Sequence, residues 1–220
     1  MSTVVAVDGP AGSGKSSVSR AAAAKLGFAF LDTGAAYRAL AWSVLEHGGN
    51  PEHPEDVVRA LDGFRFESAD DPAEHWVRVG GADVTDAIRE PRVTSAVSGV
   101  ARVAAVREAL NVGFRQRLAA ADPGVVVEGR DITTVVAPDA DVRVLLTASP
   151  EVRAARRARQ LPDLHHETVA RAIAERDAKD SQVVDFLEAA DGVTTLDSTD
   201  LDFDGTVEAL VGLVLERVPR

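Results

Sequence analysis

Val4-Val5-Ala6-Val7-Asp8-Gly9-Pro10-Ala11-Gly12-Ser13-Gly14-Lys15-Ser16-Ser17 decides how the chain is read. The apolar run Val4–Val7 is what a strand buried on both faces requires. It leads into Gly9-x4-Gly14-Lys15-Ser16, the spacing of a phosphate loop. Glycines let the backbone wrap an anion, so that its N–H groups and the next helix N-terminus point at a phosphate. The spacing predicts that Gly9, Pro10, Ala11, Gly12, Ser13, Gly14, Lys15, Ser16 and Ser17 bind the phosphates of a triphosphate donor. Lys15 is expected on the β- and γ-phosphates and Ser16 on Mg2+ through its hydroxyl. A guanine-reading switch needs Asn-Lys-x-Asp, and neither Asn50 nor Asn111 precedes a lysine.

Outward from this loop, strands and helices alternate. A helix is predicted over Lys15–Leu26 with Gly27 as its stop, then a strand over Phe28–Leu31. Tyr37, Leu40, Ala41, Val44 and Leu45 fall on one helical face between Ala35 and Gly48. Residues 62–93 differ: Phe64 and Phe66 alternate with charges, Trp76, Val77 and Val79 follow, and Gly80-Gly81 suits a hairpin. This predicts a small antiparallel insertion. A single helix is expected over 94–121, then strands at Val125–Val127 and Val142–Leu146. Ser149-Pro150 opens a helix with a serine cap and proline first. Another helix spans Thr168–Lys179, a fifth strand Thr194–Leu196, and an amphipathic helix runs from Val207 to Val218. The pattern is α/β: an open five-stranded parallel sheet with helices on both faces, which binds ligands at the carboxyl ends of its strands.

With 220 residues, the chain fits one domain carrying an insertion and can bury a full core. It has no cysteine, which excludes disulfides and thiol nucleophiles. The net charge of −11 argues against a nucleic-acid or anionic-membrane partner. No apolar run reaches the roughly 18 residues of a membrane span, and no signal-peptide pattern opens the chain, so a cytoplasmic protein is expected. Of the 24 basic residues 21 are arginines, the residue suited to bidentate phosphate contacts.

Three further groups supply candidates for the acceptor side: Asp32-Thr33-Gly34-x-x-Tyr37-Arg38 after the second strand, Glu128-Gly129-Arg130-Asp131 after the third, and Arg176-Asp177-x-x-Asp180. Arg153, Arg156, Arg157 and Arg159 crowd one short helix. Together with Val106-Arg107-Glu108-Ala109-Leu110, these segments make the chain resemble, over essentially its whole length, the bacterial cytidylate kinases of the nucleoside monophosphate kinases. The resemblance implies one kinase domain over 1–220, with a monophosphate-binding insertion at about 62–93 and a lid at about 157–175. It implies transfer of the γ-phosphoryl group of ATP to CMP or dCMP by a monomer that acts on small nucleotides. Thr33 and Tyr37 would sit at the acceptor, Arg38 and Arg130 would hold its phosphate, and Ser98, Arg107 and Asp131 would read cytosine. Arg176 and Asp180 would hold the sugar region, and Lys15, Arg38, Arg130 and Arg156 would neutralise charge during transfer.

The chemistry agrees with cytosine. Its 4-amino group donates to a carboxylate such as Asp131, and N3 and O2 accept from Arg107 and Ser98. Uracil sets an oxygen against that carboxylate. The chain differs from the family pattern at three places. Val183 replaces an arginine that points at the acceptor phosphate, which implies weaker acceptor binding unless Arg156 or Arg159 compensates. Thr133 replaces a glycine, which implies a changed turn, and the lid is a few residues shorter. Two other readings remain open at this stage: a kinase for another acceptor, such as UMP or a small metabolite, and a nucleotide-binding protein with weakened kinase activity.

Overall fold

The apolar run after Met1 forms the middle of a five-stranded parallel sheet. A computed structural model of the chain describes residues 2–160, 166–182 and 186–218. Residues 161–165 of the expected lid, and Val183, lie outside the described residues. The elements run β1 (Thr3–Asp8), α1 (Lys15–Leu26), β2 (Ala29–Asp32), α2 (Thr33–Glu46), α3 (Pro54–Leu61), β3 (Phe66–Ser68), β4 (Val77–Val79) and β5 (Ala82–Asp83). They continue through α4 (Pro91–Ala101), α5 (Ala104–Ala120), β6 (Gly124–Gly129), β7 (Val142–Thr147), α6 (Pro150–Gln160), α7 (His166–Asp180), β8 (Thr194–Asp197) and α8 (Phe203–Arg217).

The main sheet has the order β2-β6-β1-β7-β8, with every neighbouring pair parallel. Side chains alternate across it because the strand period is two. Val5, Val7 and Val126 face a core with α1 and α8, whereas Ala6, Val125 and Val127 face the core under α2, α4 and α5. Both faces are covered, as the unbroken apolar strands require. Burying each such valine contributes roughly 1.5–3 kcal/mol. The register matters most for function. Asp8 lies opposite Gly129 and Asp32 opposite Glu128, so the loops after β1, β2 and β6 leave the same edge of the sheet side by side.

Local signals explain the helix ends. Gly14 precedes α1 at φ 89°, and Gly27 ends it at φ 69° with its N–H on the last carbonyls, Ala23 O and Ala24 O. Asp32 caps α2 by accepting from the Ala35 N–H at 2.9 Å. Ser149 Oγ accepts from Val152 N–H at 3.3 Å at the start of α6. Segment 62–93 contains the second sheet, β3-β4-β5, antiparallel throughout, with Gly80 and Gly81 turning between Val79 and Ala82. Its Val77, with Val84 and Ile88, packs on Ala35 and Ala39 of α2.

Two expectations need correction. The helix predicted over 94–121 is two helices, with Val103 in extended backbone (φ −79°, ψ 112°) between them. Val100 and Val106 would lie on different faces of one continuous helix. The break lets both be fully buried in the same core. Helix α3 was not anticipated at all. Finally, no left-handed residue is needed at Thr133: Ile132–Val136 form a π-helical turn, and Thr133 is anchored by its side chain as described below.

Candidate active site

The phosphate loop owes its shape to close approach. A Cβ on Gly9 would lie 2.2 Å from Leu146 O, and one on Gly12, where φ is +78°, 2.7 Å from Arg153 O. Only glycine fits either place. Ser13 Oγ is buried without a hydrogen-bond partner, an orphaned donor inside the loop that suits a cradle for phosphate. Lys15 and Ser16 begin α1 and reach the end of β6. Ser16 Oγ donates to Glu128 Oε1 at 2.6 Å, and Lys15 Nζ lies 4.0 Å from Glu128 Oε2. Ser17 is exposed on the first turn of α1.

Asp32 and Glu128 make a buried carboxylate pair at the ends of adjacent strands. Burial pushes Glu128 above the usual carboxylate range, and Asp32 beside it adds to the rise. Burial acts the same way on Asp32, but Arg38, the Ala35 N–H and Lys15 outweigh it and hold the carboxyl low. Arg38 Nη2 donates to Asp32 Oδ2 at 2.8 Å, while its Nε is buried without a partner. Burial lowers the Lys15 ammonium to about 8, with Arg130 and Arg176 adding to the effect.

Arg130 lies across the cleft. Its Nε donates to Asp180 Oδ2 at 3.0 Å, its Nη1 to Gly9 O, and its guanidinium lies over the Phe186 ring at 4.8 Å. Ser98 Oγ donates to Asp180 Oδ1 at 3.1 Å, and Arg176 Nε lies 3.7 Å from the same carboxylate. Burial lowers Arg176 to about 10, with Arg130 the next cause. Arg107 Nη2 donates to Asp131 Oδ2 at 2.8 Å. Burial still pushes Asp131 up against that partner. Tyr37 lies near this pair and against Phe114, with ring centroids 6.4 Å apart. Burial and then Asp131 raise its phenol. Thr33 Oγ1 donates to Glu128 O at 2.8 Å and pins the start of α2 to the end of β6.

The structure brings Lys15, Ser16, Thr33, Tyr37, Arg38, Ser98, Arg107, Arg130, Asp131, Arg176 and Asp180 to one edge of the sheet. Arg156 departs from the expected arrangement. Its guanidinium donates to Ser13 O (3.1 Å), Ser198 Oγ (2.9 Å), Ser198 O (2.8 Å) and Leu201 O (3.1 Å). It clamps the loop to the turn after β8 rather than facing the other arginines. Among the α6 arginines it is Arg157 whose charge meets Arg38 and Arg89.

Sequence reasoning gave no role to four carboxylates that its motifs contain or adjoin. Asp32 and Glu128 carried a signal, since each ends a buried strand beside a candidate loop. Asp8 is a third carboxylate of this kind: it accepts from Ile132 N–H (2.9 Å), Thr133 N–H (2.8 Å) and Thr133 Oγ1 (2.6 Å). Asp177, which accepts from Ala11 N–H at 3.0 Å, lies within the motif Arg176-Asp177-x-x-Asp180, but nothing in that motif points to a loop 166 positions away.

Among the described residues, no group of three or more His, Asp or Glu side chains is arranged to hold a metal ion. The groups present nevertheless fit Mg2+, which prefers hard oxygen, few protein ligands and substrate phosphates. Ser16 Oγ donates its hydrogen bond to Glu128, which leaves the oxygen's lone pairs available to a cation. Among the described residues, no helix is long and apolar enough to cross a membrane.

Comparison with known proteins follows the same lines. A family model described as cytidylate kinase matches residues 5–216. The cytidylate kinase of Cutibacterium acnes is 46% identical over 214 residues, covering 96% of this chain and 95% of that protein. That of Streptomyces griseus is 44% identical, covering 97% and 93%. Among solved structures, TT1252 from Thermus thermophilus matches with a TM-score of 0.50 at 19% identity, covering 100% of this chain and 99% of that one. That likeness supports the fold alone.

Proposed function

Because the chain belongs to the cytidylate kinase family, we infer that it transfers the γ-phosphoryl group of ATP to CMP or dCMP, giving ADP and CDP or dCDP. The observation that carries this reading is the shared edge: the donor loop and the acceptor arginines meet there, with Arg130 hydrogen-bonded to Gly9 O of the loop itself. Both nucleotides can therefore be held in line, and phosphoryl transfer needs little else beyond positioning and neutralised charge.

The loop backbone and Lys15 take the donor phosphates. Ser16, backed by Glu128, would hold Mg2+, which would supply charge neutralisation at the donor phosphates. Arg38 and Arg130 take the acceptor phosphate, each already pre-oriented by a carboxylate, Asp32 and Asp180. Asp131, held by Arg107, faces the cytosine amino group, while Ser98 is bonded to Asp180 on the other side of the acceptor. Thr33 and Tyr37 position the acceptor from α2. The acceptor hydroxyl role is filled by a phosphate oxygen already ionised at neutral pH, so no general base is required.

The test is ADP release measured with CMP, dCMP, UMP, AMP and no acceptor. CMP and dCMP are expected to turn over well above the rest. Equal rates with UMP, or release without an acceptor that matches release with CMP, would overturn the reading.

A further inference from the structure

Helix α7 touches the donor loop and the acceptor side at the same time. Asp177, only 6% exposed, accepts from the Ala11 N–H at 3.0 Å and from Arg153 Nη1 at 2.5 Å. The same Arg153 nitrogen donates to Ala11 O at 2.9 Å. One ion pair thus holds both backbone polar groups of a residue in the middle of the phosphate loop. The Ala11 methyl is itself buried among Ala154 of α6 and Val169 and Ile173 of α7. The α6 backbone presses on the next residue, since a Cβ on Gly12 would sit 2.7 Å from Arg153 O.

Three residues further along α7, and therefore on the same helical face, Asp180 accepts from Ser98 and from Arg130. Arg130 in turn donates to Gly9 O, at the other end of the loop. The connections close a circuit: Gly9, Arg130, Asp180, the helix, Asp177, Ala11. A helix turn is stiff, so a shift of the loop backbone around incoming phosphates cannot leave Asp180 where it was unless buried charge-assisted bonds break. The opposite also holds: an acceptor phosphate that draws Arg130 from Asp180 acts on the loop.

We propose that Arg153 and Asp177 are positioning residues that couple the two nucleotide sites, so that donor in the loop tightens binding of the acceptor through α7. The proposal rests on the reading that the loop takes ATP and that the Ser98, Arg130 and Asp180 side takes CMP. It adds that affinity for one nucleotide depends on the other, and by linkage the factor is the same in both directions.

The experiment is calorimetric titration of CMP into the full chain, with and without a saturating, non-hydrolysable β,γ-imido analogue of ATP and Mg2+. The wild-type protein is expected to bind CMP about 5–150-fold more tightly with the analogue present. In Asp177→Asn that ratio falls to within about twofold of one, because the amide cannot accept from Arg153 and Ala11 with both atoms. Arg153→Met removes the nitrogen that donates to both Ala11 O and Asp177 while keeping an unbranched side chain, and lowers the ratio likewise. It serves also where Asp177→Asn does not fold. Weakening of both ligands with an unchanged ratio in a folded variant marks a purely structural role and overturns the proposal. A wild-type ratio of one with CMP still bound overturns the coupling alone. Absence of CMP binding under either condition overturns the substrate reading, and the coupling with it.

Discussion

Lys15 sets a pH limit on donor binding that its surroundings make calculable. Its side chain is 15% exposed, and its ammonium titrates at about 8 rather than 10.5, because burial disfavours the charge and Arg130 and Arg176 repel it. Glu128 and Asp32 pull the other way without restoring the ordinary value. A bound triphosphate places several negative charges at this amine and holds it protonated well above pH 8. Donor binding above pH 8 must then take up a proton. Apparent affinity falls by a factor of about 1 plus ten raised to the power pH minus 8, which is roughly 1.1 at pH 7, 2 at pH 8 and 11 at pH 9. The expected change in the KM for ATP from pH 7 to pH 9 is therefore about tenfold, or about 1.4 kcal/mol.

The assay is ADP release at saturating CMP from pH 6.5 to 9.5 at constant ionic strength. Because the nucleotide complex stays protonated, kcat should change little over this range. Lys15→Arg remains charged throughout and should lose the pH dependence of KM, even though its geometry lowers kcat. A flat wild-type KM between pH 7 and 9, or the same slope in Lys15→Arg, refutes the argument. A matching stability effect has a definite sign. Folding favours the neutral amine, so this group opposes folding below about pH 8, and that opposition fades between pH 8 and 10.5.

Four other outcomes are expected. Asp131→Asn should narrow the CMP-to-UMP ratio of kcat/KM, since the amide can donate to the uracil oxygen, and an unchanged ratio removes Asp131 from base reading. Thr133→Val withdraws one of three donors from the buried Asp8 carboxylate, which should cost about 1–3 kcal/mol and lower Tm by several degrees in a thermal melt, with Thr133→Ser close to wild type. Arg157→Ala should raise the acceptor KM by about tenfold or more, a charged hydrogen bond to phosphate being worth roughly 1.5–3 kcal/mol, whereas Arg156→Ala should act on Tm. Val183→Arg should lower the acceptor KM only if Arg157 does not already compensate.

What was legible in the sequence was local. The run Val4–Val7 and the glycine spacing after it gave β1, the loop and α1, because a strand buried on both faces and a loop without Cβ atoms each need particular residues at adjacent positions. Helix α3 was missed although its signals are present: Pro54 comes first and Glu55 and Asp56 occupy the first turn. The break between α4 and α5 had no such mark. It exists because Val100 and Val106 both bury in one core, which is a matter of tertiary packing. Arg156 was misjudged for a related reason. Its partners Ser13 and Ser198 lie 143 and 42 positions away, and nothing in the run Arg153–Arg159 separates an arginine that clamps backbone from one that meets Arg38.

The electrostatics of the cleft explain why such arginines cannot be ranked from sequence. The chain carries a net charge of −11, yet Lys15, Arg38, Arg130, Arg157 and Arg176 crowd one edge of the sheet. Burial is the first cause of the lowered Arg176, at about 10, and of the lowered Lys15, and repulsion by Arg130 is the next in both. Asp32, Glu128 and Asp180 offset this only in part, and burial pushes Glu128 toward its neutral form. The cleft's own side chains thus leave an excess of positive charge, which the two phosphate-bearing nucleotides of the proposed reaction would offset. Part of their affinity is relief of repulsion already present in the protein, so each ligand should also raise Tm in proportion to its saturation. The same argument orders the contacts. If Arg130 and Arg38 take the acceptor phosphate as proposed, Asp180 and Asp32 would compete with it for them, holding the arginines in place at the cost of some affinity. The Arg107–Asp131 pair would face the same competition from the base that both are proposed to read.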